Sequence, residues 1–240
     1  MRTKTALAAA LVLLIVGGVV AGLAYGQAGE LPALRELVGR SARGRPIYAY
    51  LLGPPGGRPV LVVGSTHGDE SAGMAIVSAL RQLEPPVGVD LWLIPTINPD
   101  GVAAGTTGNA RGVNLNRNFP YAWRRLAGTG HLNSGPRPLS EPETRALHSF
   151  LLRIQPRLAI WFHQPLALVD DSQGSRRLER TFGRMVGLPV RPLTDYPGSI
   201  TNWENHRFPD STAFVTELPR GSLTHARALR FARAILALAH

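Results

Sequence analysis

The chain contains no cysteine and only one lysine, Lys4. The first absence removes disulfides, thiolate nucleophiles and cysteine-held zinc, so a metal here must be bound by His, Asp or Glu. It leaves the compartment open. The second absence means that the formal charge of +10 rests almost wholly on arginine. A basic surface can draw nucleic acid, anionic lipid or an acidic wall polymer. No basic block with interleaved aromatics occurs, so no nucleic-acid partner is expected and the arginines read as a solvated face. The 240 residues suit one domain, or one domain plus an appendage, with ample length for a core.

One long uncharged run stands out, from Ala6 to Ala24, preceded by Arg2 and Lys4. Residues 1–28 are expected to be a signal peptide, cleaved after Ala28, or an uncleaved N-terminal membrane anchor. Either places the remainder outside the cytoplasmic membrane, in the cell-wall space, secreted or anchored. Membrane contact is expected only through this segment, if uncleaved. Residues 29–45 are expected to be a linker with a short helix from Leu31 to Val38, followed by a catalytic domain over residues 46–240.

Within that domain, apolar runs and helical periodicities alternate. Strands are expected at Ile47–Leu52, Pro59–Ser65, Val89–Thr96, Leu158–Phe162 and Thr212–Thr216. Helices are expected from Glu70 to Leu83, from Glu141 to Ile154, from Ser175 to Val186 and from Leu223 to Leu238. Asn98-Pro99-Asp100-Gly101 reads as a turn, and Ala103–Gly135 as a long loop of the kind that usually carries function. The alternation implies an α/β fold, a sheet covered on both faces.

In such folds ligands bind beyond the carboxyl ends of the strands. His67 with Glu70, His163, and Glu217 each fall at such a place. Two imidazoles and a carboxylate are the ligand number that a hydrolytic zinc ion takes while keeping a position for water. Glu217 is then the free carboxylate that moves protons between water and leaving group. Arg111 is a candidate for stabilising a developing oxyanion. Arg117 beside Asn116 suits a substrate carboxylate. Each piece alone is weak: His-x-x-Glu pairs are common by chance, and single arginines or a histidine after a strand are usually structural. Asp69 and Asp100 read as turn residues, Asp170 and Asp171 as a polar loop, and His131, His148, His206, His225 and His240 receive no role.

The ordered series His67-Gly-Asp-Glu70, Asn98-Pro-Asp-Gly101, Arg111, Asn116-Arg117-Asn-Phe, His163 and Glu217 resembles the zinc carboxypeptidase family over roughly Pro46 to the C-terminus. The short Arg111–Arg117 spacing, Ser140-Glu-Pro-Glu-Thr144, His163-Gln-Pro-Leu166 and Glu217-Leu-Pro219 are similar to its compact murein peptide amidase branch. The resemblance implies a three-layer α/β/α sandwich with a mixed, mostly parallel sheet and one zinc ion on His67, Glu70 and His163. It implies Glu217 as general acid/base, Arg111 on the scissile carbonyl, and Asn116 and Arg117 on the substrate carboxylate. Tyr196 is the nearest match to the family's substrate-contacting tyrosine. The implied substrate is a peptidoglycan stem peptide, cut between γ-D-glutamate and diaminopimelate, and a monomer is expected. The rivals are a general metallocarboxypeptidase acting on protein C-termini, a zinc deacylase of the succinylglutamate desuccinylase or aspartoacylase type, and a non-catalytic wall-binding domain. Retention of every ligand and of Glu217 argues against the last.

Overall fold

The fold was analysed in a computed structural model. The structure describes residues 14–16, 19–24 and 33–240, apart from 173 and 195. Most of the expected signal or anchor lies outside these residues. Among the described residues no helix is long and apolar enough to cross a membrane.

Among the described residues ten strands form one sheet: β1 (Leu14–Val16), β2 (Val19–Ala24), β3 (Ala33–Arg40), β4 (Pro46–Leu52), β5 (Arg58–Val63), β6 (Val89–Ile94), β7 (Leu158–His163), β8 (Leu166–Asp170), β9 (Val190–Arg191) and β10 (Thr212–Pro219). Their order is β1-β2-β3-β4-β6-β5-β7-β10-β8-β9. The central strands β6, β5, β7 and β10 run parallel. Antiparallel ribbons extend the sheet from β4 on one side and through β8 on the other. The parallel character is thus a property of the centre.

Among the described residues there are six α-helices: α1 (Gly73–Leu80), α2 (Pro99–Ala104), α3 (Pro142–Ile154), α4 (Arg176–Val186), α5 (Ile200–Arg207) and α6 (His225–Ala239). Alternation along the central strands divides the core. Val60, Val62, Ile160 and Phe162 pack with Ile76 and Leu80 of α1, Phe182 of α4 and Phe231 of α6. Leu61, Val63, Ala159 and Trp161 face the other way, against Leu147, Phe150 and Leu151 of α3 and Trp203 of α5. Successive strand residues point to opposite faces, so a strand buried on both sides is apolar at nearly every position, as β5 to β7 are. The result is the expected α/β/α sandwich.

Three local expectations are corrected. Residues 33–40 form strand β3, not a linker with a short helix. Its sequence has helix-favouring residues, but pairing with β4 and burial of Ala33 and Glu36 override that preference. Asn98-Pro-Asp-Gly101 opens α2 instead of making an isolated turn: Asn98 Oδ1 accepts from Gly101 N at 2.9 Å, and Pro99 fills the first turn. Asp100 accepts from Arg43 N and Arg45, which ties α2 to the loop before β4. Helix α1 starts only at Gly73, because residues 64–72 form the loop that carries His67 and Glu70.

Candidate active site

The site lies at the carboxyl end of the parallel strands. His67 and Glu70 occupy the loop between β5 and α1. That loop packs backbone to backbone on α2. A Cβ on Gly68 would come within 1.9 Å of the Gly101 carbonyl carbon, so glycine is required there. His163 ends β7, and Glu217 lies opposite it on β10. Glu217 is therefore inside its strand, which runs on to Pro219 because β8 pairs with its far edge.

Three side chains converge. His67 Nδ1 is 3.0 Å from Glu70 Oε1, His163 Nδ1 is 2.9 Å from Glu70 Oε2, and the two Nδ1 atoms are 3.2 Å apart. Tetrahedral zinc at its usual 2.0–2.1 Å from nitrogen and oxygen would separate its ligands by about 3.3 Å. The donor set and its spacing fit one such ion. Outer contacts orient the donors. His67 Nε2 lies 2.9 Å from Asn114 Oδ1, and an amide oxygen only accepts, so this ring donates there and its Nδ1 lone pair points inward. Gln164 N donates to Glu70 Oε2 at 3.1 Å. The Gln164 side chain accepts from Ala72 N and donates to the carbonyls of Pro219 and Gly221, which clamps the ligand loop to the end of β10.

The electrostatics couple the three groups: burial lowers His163, but the hydrogen bond and charge of Glu70 outweigh it and raise the ring above its ordinary value. Burial holds His67 below its ordinary pKa, keeping the ring neutral. Burial also opposes ionisation of Glu70, but the imidazoles of His163 and His67 beside it outweigh burial and hold the carboxyl far below the usual range. Burial, with the charge of Glu70 adding to it, raises Glu217. Leu166 N contacts Glu217 Oε2 at 3.4 Å.

These groups line one cleft of about 450 Å³, large enough for a small peptide. Its walls also carry Asn116, Arg117 and Tyr196. The Arg117 guanidinium stacks 4.5 Å from the centre of the Tyr196 ring. Asn116 Oδ1 accepts from Ile200 N at 3.0 Å, and its Nδ2 lies 3.5 Å from His163 Nε2. Asn116 thus joins the start of α5 to the metal-ligand candidates. A planar, buried guanidinium with an amide beside it is suited to a carboxylate.

Arg111 is not part of this cleft. Its side chain is 55% exposed, sits 3.5 Å from Glu141 and lines a separate cavity. Asn109 Oδ1 accepts from the backbone N–H groups of Arg111 and Val113, turning the chain so that this arginine points away. The expectation that Arg111 polarises the scissile carbonyl is corrected on this ground.

The structure adds residues that had no assigned role. Arg124 and His131 from the long loop line the cleft, as does Asp170 at the end of β8. Asp170 is buried and accepts from Ser172 and from Leu193 N. Neither β8 nor the path of the long loop had a periodic signal, so these residues could be found only through the pairing of β8 with β10 and the return of the loop over the cleft.

Over residues 28–169 the sequence matches the profile of the zinc carboxypeptidases. Murein peptide amidase A of Escherichia coli K12 is 35% identical over 190 residues, covering 73% of this chain and 78% of that protein. The Vibrio campbellii protein of the same name is 34% identical, covering 75% and 77%. The crystal structure of a murein-tripeptide amidase from Escherichia coli O157 superposes with a TM-score of 0.70 at 29% identity, over 85% of this chain and 91% of that one. Sequence match, sandwich topology and convergent His-Glu-His donors agree, and the chain belongs to the zinc carboxypeptidase family.

Proposed function

We propose that this enzyme is a zinc-dependent amidase that hydrolyses the γ-D-glutamyl–diaminopimelate bond of peptidoglycan stem peptides. The observation that carries the reading is the union, in one cleft, of the His67–Glu70–His163 donors, the unligated carboxylate of Glu217 and the stacked Arg117–Tyr196 pair. The curated relatives named for murein peptide support the substrate class. So does the cleft itself. It sets two guanidinium groups, Arg117 and Arg124, near the acids Asp170 and Glu217, which complements a substrate bearing free carboxylates and an amine.

His67, Glu70 and His163 would hold the zinc ion. When bound there, zinc acidifies a water molecule toward a pKa of about 7 and polarises a carbonyl. Arg117 and Asn116 fix the carboxylate next to the scissile bond, and Tyr196 keeps the guanidinium plane in place. Glu217 takes the proton of the attacking water and returns it to the departing amine. Burial raises its proton affinity, which strengthens it as a base above its own pKa.

Arg2, Lys4 and the apolar run that follows support export, with residues 1–28 cleaved or retained as an anchor. A wall-peptide substrate is consistent with that location. The test is incubation of the zinc-loaded chain with L-alanyl-γ-D-glutamyl-diaminopimelate, hippuryl dipeptides and N-acyl amino acids, with products read by mass spectrometry. Release of free diaminopimelate is expected. Preferential release of C-terminal residues from hippuryl peptides would replace this reading with a general carboxypeptidase.

A further inference from the structure

The geometry points to His131 as a fourth, exchangeable ligand that closes the metal site until substrate displaces it. This inference rests on the zinc reading of His67, Glu70 and His163. A ring nitrogen of His131 lies within 4.8 Å of donor atoms of both His67 and Glu70. Its ring stands edge-on to that of His67, with centroids 5.4 Å apart and planes at 86°. Ligands of one tetrahedral zinc ion stand about 3.3 Å apart, so His131 lies close to the coordination sphere and would enter it by approaching His67 and Glu70.

The backbone holds His131 at that range. Asn114 Nδ2 donates to the His131 carbonyl at 3.2 Å, while Asn114 Oδ1 accepts from His67. One side chain therefore orients a ligand and sets the distance of the fourth imidazole from it. Asn114 N donates to Asn133 O at 2.8 Å, which closes the same loop from its far side. The side chain of His131 is itself exposed and comes from a short 3-10 turn, Gly130–Leu132, in the loop that overhangs the cleft. It can advance or withdraw without disturbing a packed core.

Four protein ligands make a closed zinc site, and three with an open position make a hydrolytic one. A ligand on an exposed loop is suited to alternate between the two. With His131 engaged, the ion is retained and the water position blocked. A peptide entering the cleft meets Leu126 and Leu132 of the same loop and competes for the space the imidazole occupies.

The test compares the wild-type chain with His131→Ala and His131→Asn for metal retention and for the spectrum of the cobalt(II)-substituted protein. Chelator competition should show zinc dissociation constants raised about tenfold or more in both variants. The wild-type cobalt spectrum should carry the intense visible bands of four-coordination by protein ligands and shift toward that of the variants when diaminopimelate is added. Equal zinc affinities, or cobalt spectra that coincide without ligand, would overturn the latch while leaving the three-ligand site intact. A wild-type chain that retains no zinc would overturn both.

Discussion

Glu217 and His163 are register partners on adjacent parallel strands, β10 and β7. Their side chains share one face of the sheet at its carboxyl end, so the carboxylate proposed to move protons stands beside an imidazole of the proposed metal-ligand cluster. Backbone pairing sets this relationship, and it gives the first prediction. Glu217→Gln should keep its zinc stoichiometry and lose about 10²–10⁴ in kcat. Metal analysis and steady-state kinetics on the tripeptide check it. In the wild-type enzyme the acidic limb of kcat/KM should fall above the ordinary glutamate value of 4.5, because burial raises Glu217. Activity is lost as pH drops through that raised pKa. A Gln variant with wild-type turnover would remove Glu217 from the proton path.

The ligand role proposed for His67 depends on Asn114, which sets its tautomer. Asn114→Ala should weaken zinc binding roughly 10–100-fold, the range for loss of a partner that orients a metal-bound histidine. Chelator titration measures this directly. Retention as tight as wild type would mean that His67 does not need its Nε2 partner.

Two arginines of the long loop should separate cleanly. Arg111 is half exposed on Glu141 and lines another cavity, so Arg111→Ala should change kcat/KM less than about threefold and stability by less than about 1 kcal/mol. Arg117 is buried in the cleft against Tyr196, and Arg117→Ala should lower kcat/KM about 10²-fold or more, through lost carboxylate binding. Parallel kinetics on the two variants decide the matter. A large loss from Arg111→Ala would restore it to the catalytic set.

Glu204 offers a stability prediction away from the chemistry. It is fully buried, accepts from Trp161 Nε1 at 2.7 Å, and its other oxygen has no hydrogen-bond partner. Burial pushes its carboxyl from 4.5 up to about 8. The folded state therefore holds a proton that the unfolded chain releases above 4.5. This group's contribution is intact below 4.5, declines as pH rises, and is lost above about 8. Glu204→Gln keeps an acceptor for Trp161 without the charge. It should match wild type near pH 4 and be more stable at pH 9, by at most about 5 kcal/mol. Thermal unfolding across that range is the measurement, and a variant no more stable than wild type at pH 9 would mean that Glu204 ionises in the fold at little cost.

How much of this was legible beforehand follows from where the information resides. The central strands β5, β6 and β7 are apolar at nearly every position, and a run buried on both faces cannot be mistaken for an amphipathic one. Helices α3 and α6 carry the 3.6-residue period. Strand β3 was hidden because its residues favour a helix and only its partner β4 makes it a strand. Strand β8 and helix α5 were hidden for a related reason: both are short, and what defines them is pairing or packing with β10.

For the site, the order of His67, Glu70, Asn116, Arg117, His163 and Glu217 along the chain, with no cysteine to compete, determined the chemistry, the donor types and the family. A ligand type and its attachment to a strand end are local properties, and they can be read one residue at a time. Which side chains reach the cleft was decided only by tertiary structure. Arg111 and Arg117 lie six residues apart in one irregular loop, and the Asn109 turn sends one outward while packing on Tyr196 keeps the other in. His131 and Asp170 arrive from segments without any periodic signal. A loop has no repeating geometry from which to project a direction, so its side chains acquire a place only when the contacts around them form.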